Sequence, residues 1–352
     1  MALNVTPTAL WLVPVPDIGG VARHVLDATR LGIPGWRIVV MCPEGALAEA
    51  LRAQGSAVQA AAFGPDAGVV ASVRSLIAAV NALRPKIVHS HLAYADIIAA
   101  FTWLPDGVRR VSTEHGIAGN DSVYHESEAK ARVMAAAHTL RQRRFAARIA
   151  VSEATAQAMR EKWAVQRQII VIPNGVDAPE LERVAGDPSA PRILSLSRLA
   201  PEKRLDKLIE AFALLRQGLP GATLTIAGSG PLEGELREQI SQLGLADAVS
   251  LPGFVDAESA MAEADAIVQL SVWENASYTL LDAVARGIPV VAARVGGNPE
   301  IVSEASLVDA DNVVEVAGRI RAALGRKELT SRPISVAQMT RRIGNVYDRV
   351  AA

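Results

Sequence analysis

Short apolar runs recur along this chain at the length of strands, and segments with helical periodicity separate them. In the first half the runs cover residues 9–13, 37–41, 57–61, 87–89, 110–113, 149–152 and 169–172, with helices expected to begin near Gly20, Ala46, Val69, Tyr94, Glu128 and Glu153. Strands this uniformly apolar must be covered on both faces, and strand–helix alternation requires crossover connections, so the pattern predicts a parallel sheet between two helical layers. From Asn174 to Pro191 the texture changes, with Gly175, Pro179, Gly186, Pro188 and Pro191 marking a linker. A second alternation follows, with strands expected over 192–197, 223–227, 249–251, 266–270 and 289–292. The expected fold class is therefore α/β, with two doubly wound, Rossmann-like parallel-sheet domains.

Composition narrows the function. With 352 residues, half of them hydrophobic, the chain can bury two cores. A formal net charge of -1 gives no global attraction to nucleic acid. Cys42 is the single cysteine, which rules out a disulfide within this chain and a cysteine-rich metal site, and fits a reducing, cytoplasmic setting. The first residues lack a basic region and are interrupted by Asn4, Thr6, Pro7, Pro14 and Pro16, so they are expected to lead into a first strand rather than act as a signal peptide. No apolar run approaches the ~18 residues of a spanning helix, so any membrane association is expected to be peripheral.

The densest chemistry lies between Ser271 and Glu300. Glu274 sits in a turn-like stretch before a helix over 278–286, and Asp282 lies within that helix. Gly287 ends it, Pro289 cannot extend it, and a buried strand follows. Two carboxylates so separated suit a sugar hydroxyl and a ribose diol, which reads as a nucleotide-sugar pocket. Upstream, Ser197-Arg198-Leu199-Ala200-Pro201-Glu202-Lys203 follows a strand and opens a helix, so Arg198 and Lys203 lie where a diphosphate would meet two cations and a helix amino terminus. In the first βα turn, Gly19 and Gly20 let backbone amides approach an oxyanion.

On these motifs the chain resembles the retaining glycosyltransferases of the GT-B fold, family four (glycosyl transferases group 1). The family signature is Glu, seven residues, Glu, then Ala-Gly-Pro and a valine-rich strand; here Glu274 is followed after seven residues by Asp282, an acid one methylene shorter. The Arg-to-Lys spacing of 198 and 203 matches. The resemblance covers nearly the whole chain, most strongly 172–300. It implies two domains facing a cleft: an acceptor-side domain of residues 1–178, to which helix 335–352 crosses back, and a nucleotide-sugar domain of residues 179–334. It also implies catalytic roles for His115, Glu274, Arg198 and Lys203, and donor contacts from Gly19, Gly20, Gly228, Phe254, Val255, Ser277, Tyr278 and Asp282. His91 and Asn174 fall on the acceptor side, while Gly296, Gly297 and Asn298 support the pocket. No metal or other cofactor is implied, because two cations can stabilise the leaving diphosphate.

Two motifs point elsewhere and are set aside. Gly228-Ser229-Gly230 resembles a dinucleotide fingerprint, but Gly234 comes one residue late for it. Asp309-Ala310-Asp311 spells a metal-binding Asp-X-Asp, although ordinary capping of the following helix accounts for it. The expected activity is transfer of a glycosyl unit from a nucleoside diphosphate sugar, UDP-linked, to a hydroxyl acceptor, as in cell-surface polysaccharide or glycolipid assembly. A nucleotide-sugar epimerase of the same fold and a two-domain sugar-binding protein are the alternatives. Residues 130–167 hold nine basic residues and two acids, and Lys130, Met134, Ala137, Arg141 and Arg144 fall on one helical stripe. That stripe is either a solvated basic face or a patch for an anionic membrane.

Overall fold

The computed structural model describes residues 6–117, 137–177, 181–184, 186–326 and 333–352. The chain divides into two compact units, one made of Met1–Gly175 with Ile334–Ala352 and the other of Val176–Pro333. Strands β1 (Thr8–Leu12), β2 (Arg37–Cys42), β3 (Val58–Ala60), β4 (Ile87–His91), β5 (Arg109–Glu114), β6 (Ala147–Ala150) and β7 (Ile170–Val171) belong to the first. They form one parallel sheet in the order β3-β2-β1-β4-β5-β6-β7. Period-two alternation divides β1 between two cores. Ala9 and Trp11 pack with Ala22, Val25 and Leu47, whereas Leu10 and Leu12 pack with Met41, Leu76 and Ala99.

The second unit carries β8 (Arg192–Leu196), β9 (Thr223–Ala227), β10 (Val249–Ser250), β11 (Ala266–Gln269), β12 (Val290–Ala293) and β13 (Leu307–Val308), ordered β10-β9-β8-β11-β12-β13. Helices Leu205–Gly218 and Val313–Ala323 cover one face through Leu208, Phe212, Val316 and Ile320. Helix Tyr278–Arg286 covers the other through Leu280, Ala283 and Val284. The predicted strands agree with the observed ones to within about two residues, the ordinary uncertainty of strand ends. The exception is β13, whose two residues are too short for any periodicity to declare. The helix expected near Glu128 lies outside the described residues, and residues 137–143 are helical.

Strand order reverses between β1 and β4 in one unit and between β8 and β11 in the other. Ligands in such sheets bind beyond the carboxyl ends of the strands at these switch points. The first unit is completed by the last helix, Val336–Ala351, which begins with a capping box between Ser335 and Gln338. Its Met339, Ile343, Val346 and Tyr347 enter the core beside Trp11. Trp36 Nε1 donates to Asp348 at 2.8 Å. Gly175 sits against the start of this helix, where a Cβ would lie 2.6 Å from the Ser335 carbonyl oxygen and 2.7 Å from Val336 Cα. Gly175→Ala is therefore expected to destabilise the first unit by about 1–3 kcal/mol, the usual cost of overpacking. A fall in the urea midpoint against wild type checks it.

Candidate active site

In the second unit the segments leaving β8 and β11 meet. Lys203 ends the short 3-10 turn Pro201–Lys203, and its Nζ donates to Glu274 Oε2 at 3.1 Å and to Ser271 Oγ at 3.3 Å. The ammonium side chain is 19% exposed and the carboxylate 18%, so the pair is half-sheltered yet reachable by a ligand. Gly296 sets the position of Glu274. It takes φ +47, and a Cβ there would stand 1.7 Å from the Glu274 carbonyl oxygen. The Gly297 amide donates to that same oxygen at 3.2 Å. Val272 N donates to the Glu202 carbonyl at 2.8 Å, tying the two loops together.

Arg198 has a different environment: its side chain is 74% exposed and pairs with Glu202 at 2.5 Å. Two cations thus stand on one connection, one seated against Glu274 and one exposed beside Glu202. Gly228 and Gly230 press on this connection, since their Cβ atoms would fall 2.0 Å from the Ser197 carbonyl oxygen and 2.4 Å from the Leu199 carbonyl oxygen. The glycine-rich loop following β9 therefore holds the Arg198 backbone in place. After β10, Phe254 projects 85% exposed, with Val255 beside it.

Ser277 caps helix Tyr278–Arg286, accepting from the Leu280 amide, and also accepts from Gln269 Nε2 at 2.8 Å. Tyr278 packs with Leu281 and Val176. Asp282 lies on the sheltered side of this helix, 7% exposed, with Arg286 at 3.6 Å. Arg286 in turn pairs with Glu258. The two acids of the signature thus have different partners, Lys203 for Glu274 and Arg286 for Asp282. The Asp309–Asp311 segment also departs from expectation. Asn312, not an aspartate, caps helix Val313–Ala323. Asp309 accepts from the Asp311 amide in a tight turn, and Asp311 pairs with Arg204.

In the first unit, Gly19 and Gly20 start helix Gly20–Leu31 with no side-chain cap, leaving first-turn amides available. Around the β1–β4 switch point lies a histidine cluster. His89 and His91 are fully buried in β4, His115 is half-buried after β5, and His24 of the first helix joins them. Sequence reasoning passed over His24. The available signal was a histidine next to Val25 on the buried face of that helix. His24 Nδ1 lies 3.1 Å from Asn174 Oδ1, and His91 Nδ1 lies 2.9 Å from His115 Nε2. Trp11 Nε1 can only donate, so Tyr347 Oη accepts from it at 2.7 Å. The tyrosine hydrogen then goes to His89 Nδ1 at 2.6 Å, leaving His89 Nε2–H for Thr113 Oγ1 at 2.7 Å.

Burial holds all four histidines below the usual imidazole range, His24 at about 4. They are neutral at pH 7. Next to them, Arg141 is 0% exposed and bridges Asp96 at 3.0 Å and Glu114 at 3.2 Å. One cation serves two buried acids, and burial pushes the Glu114 carboxyl up to about 7. This corrects the basic stripe: Arg141 is an interior counter-ion lying over the Trp163 ring, while Arg144 lies over Phe101. Asp96, in the first turn of helix Ala93–Phe101, and Glu114, at the end of β5, are both buried and require that cation. Lys130 and Met134 lie outside the described residues. Among the described residues no helix is long and apolar enough to cross a membrane.

The sequence matches the family Glycosyl transferases group 1 over residues 180–339 and Glycosyltransferase Family 4 over residues 18–179. It is 30% identical over 328 residues to a glycogen synthase of Mycobacterium tuberculosis, covering 83% of this chain and 78% of that one. A GDP-mannose-dependent alpha-(1-6)-phosphatidylinositol monomannoside mannosyltransferase of Mycolicibacterium smegmatis is 37% identical over 155 residues, 37% of this chain and 40% of that one. The alignment thus spans under half of that mannosyltransferase. Among solved structures, Anabaena HepE in complex with UDP-glucose superposes with a TM-score of 0.77 at 22% identity, covering 98% of both chains. A Rickettsia africae glycosyltransferase superposes with a TM-score of 0.76 at 19% identity, covering 98% and 99%. The chain belongs to the GT-B glycosyltransferases of family four. It is an enzyme of the glycosyltransferase class.

The buried histidines make stability pH-dependent. His24 folds with its pKa lowered from 6.5 to about 4, so the unfolded chain binds a proton that the folded one refuses. Stability from this group is complete above pH 6.5 and is lost as pH falls through about 4, a loss of about 3 kcal/mol for His24 alone. Urea midpoints measured across that window should fall with acid, and His24→Asn should flatten the slope.

Proposed function

We propose that this enzyme transfers a glycosyl unit from a UDP-sugar to a hydroxyl acceptor, with retention of anomeric configuration and without a metal on the donor diphosphate. The observation that carries the reading is the Lys203–Glu274–Ser271 cluster at the β8–β11 switch point, in the stretch matched by the group 1 family. Lys203 and Arg198 supply the positive charge that a leaving diphosphate needs, and its charge grows in the transition state. Glu274, held by Lys203, offers a carboxylate to a sugar hydroxyl. Ser277, Tyr278 and Gly228 line the phosphate and ribose side, and Phe254 with Val255 offers an aromatic and apolar edge to the base. Asp282 is assigned to the ribose diol, and binding there competes with Arg286. UDP is favoured over other nucleotides because HepE is described with UDP-glucose and with UDP.

His115, neutral by burial, can lie against an oxocarbenium-like sugar without repelling it. In such a transfer the departing phosphate oxygen takes the acceptor proton, so no residue here has to serve as general base. Gly19 and Gly20 are assigned to the donor phosphate, and His91 and Asn174 to the acceptor. The acceptor itself is a hydroxyl-bearing glycan or glycolipid of cell-surface assembly.

Lys203→Ala and Arg198→Ala are each expected to cut kcat about a hundredfold or more, through loss of ~3 to 4 kcal/mol of charge stabilisation, with unfolding midpoints little changed. Nucleotide release from a panel of UDP- and GDP-sugars reads this directly, and wild-type turnover in both variants would sink the diphosphate assignment. Activity should persist in EDTA, and proton NMR of the product should show the donor's anomeric configuration preserved. An absolute need for Mn²⁺ or Mg²⁺ overturns the metal-free reading, and a preference for GDP-sugars overturns the UDP assignment.

A further inference from the structure

Three histidines come together from three separate elements: His24 on helix Gly20–Leu31, His91 at the end of β4 and His115 beyond β5. Each offers one ring nitrogen, and the three nitrogens lie within 4.8 Å of one another. Burial keeps the rings unprotonated near neutral pH, so their lone pairs are available without displacing a charge.

The hydrogen bonding around the rings is incomplete in a telling way. His24 Nδ1–H donates to the Asn174 side-chain oxygen, which fixes the tautomer and turns the Nε2 lone pair away. An imidazole with its far nitrogen bound to a carbonyl is the arrangement that orients metal-ligating histidines. His24 Nε2 and His91 Nε2 are both buried with no hydrogen-bond partner among the described residues. Leaving His24 Nε2 unsatisfied is costly unless something occupies the space it faces, whereas His91 offers the cluster its Nδ1, beside His115 Nε2.

We propose that His24, His91 and His115 form a binding site for a divalent transition ion of the zinc class, with three imidazole ligands and a fourth position open to water. Three neutral imidazoles select Zn²⁺ and its neighbours over Mg²⁺ or Ca²⁺, which require oxygen ligands. Tetrahedral Zn–N bonds of about 2.0–2.1 Å place ligand nitrogens roughly 3.3 Å apart. His91 Nδ1 and His115 Nε2 already stand 2.9 Å apart, and small ring rotations bring His24 in. On binding, the proton between that pair shifts to the outer nitrogen of its own ring, so all three imidazoles stay neutral. The ion has no part in glycosyl transfer; by engaging His115 it slows transfer, and a chelator reverses this.

The test uses the full chain, stripped with EDTA and desalted, and titrated with Co²⁺ and then Zn²⁺. Expected are one equivalent of Co²⁺ with the visible absorption of a four-coordinate ion, displacement by Zn²⁺, and no displacement by Mg²⁺. His24→Gln and His91→Gln should weaken Zn²⁺ binding at least tenfold by calorimetry. Asn174→Ala, which removes no ligand, should weaken it about 10- to 100-fold. Absence of Co²⁺ absorption in folded wild-type protein overturns the proposal, as does unchanged affinity in both histidine variants. Binding is read with no sugar present, so failure here leaves the transfer reading intact, and a protein that binds Zn²⁺ but transfers nothing fails only that reading.

Discussion

A parallel sheet buried on both faces forces its polar chemistry to the strand ends. In the second unit, β11 and β12 are wholly buried along their length, so Ser271 and Glu274 are the first residues past β11 with room for a polar role. The same constraint delivers Lys203 from beyond β8. Once both loops arrive at one switch point, their separation depends on backbone packing, and glycines control it. Gly296 admits the Glu274 carbonyl, while Gly228 and Gly230 admit those of Ser197 and Leu199. The ion pair at the centre is thus positioned by three Cβ atoms that are absent as much as by the side-chain atoms present.

The first unit breaks the rule in one strand, and the breach is compensated at every residue, with His91 Nε2 the one ring nitrogen of the strand left without a partner among the described residues. His89, Ser90 and His91 are polar residues inside fully buried β4. Each is met: His89 by Tyr347 and Thr113, Ser90 by Asp96 at 2.5 Å, and His91 by His115. Asp96 then needs Arg141, and Arg141 also serves Glu114. A single polar strand has recruited a network reaching four other elements.

This network explains what the sequence could and could not disclose. Strand positions and the loops bearing Glu274 and Lys203 were legible because periodicity and Gly/Pro punctuation are local signals. Arg141 was misread because its helical stripe looks like any basic face, and its two acidic partners lie 45 and 27 positions away in the chain. His24 was missed for a related reason: its neighbours Asn174, His91 and His115 all come from other elements. Asp311 looked like part of a metal motif or a cap, and its pairing with Arg204 is likewise non-local. Asp282 sits where the signature puts it, but only the fold reveals that it shares Arg286 with Glu258.

The hydrogen bond from Trp11 to Tyr347 joins residues 336 positions apart. Tyr347 follows every strand of the first unit in the chain, so during synthesis Trp11 and His89 emerge before their partner is made. The whole of Val176–Pro333 is made before that partner appears, so the second unit can close on itself first. Without the last helix, Trp11 Nε1 and His89 Nδ1 both lose the hydroxyl that satisfies them.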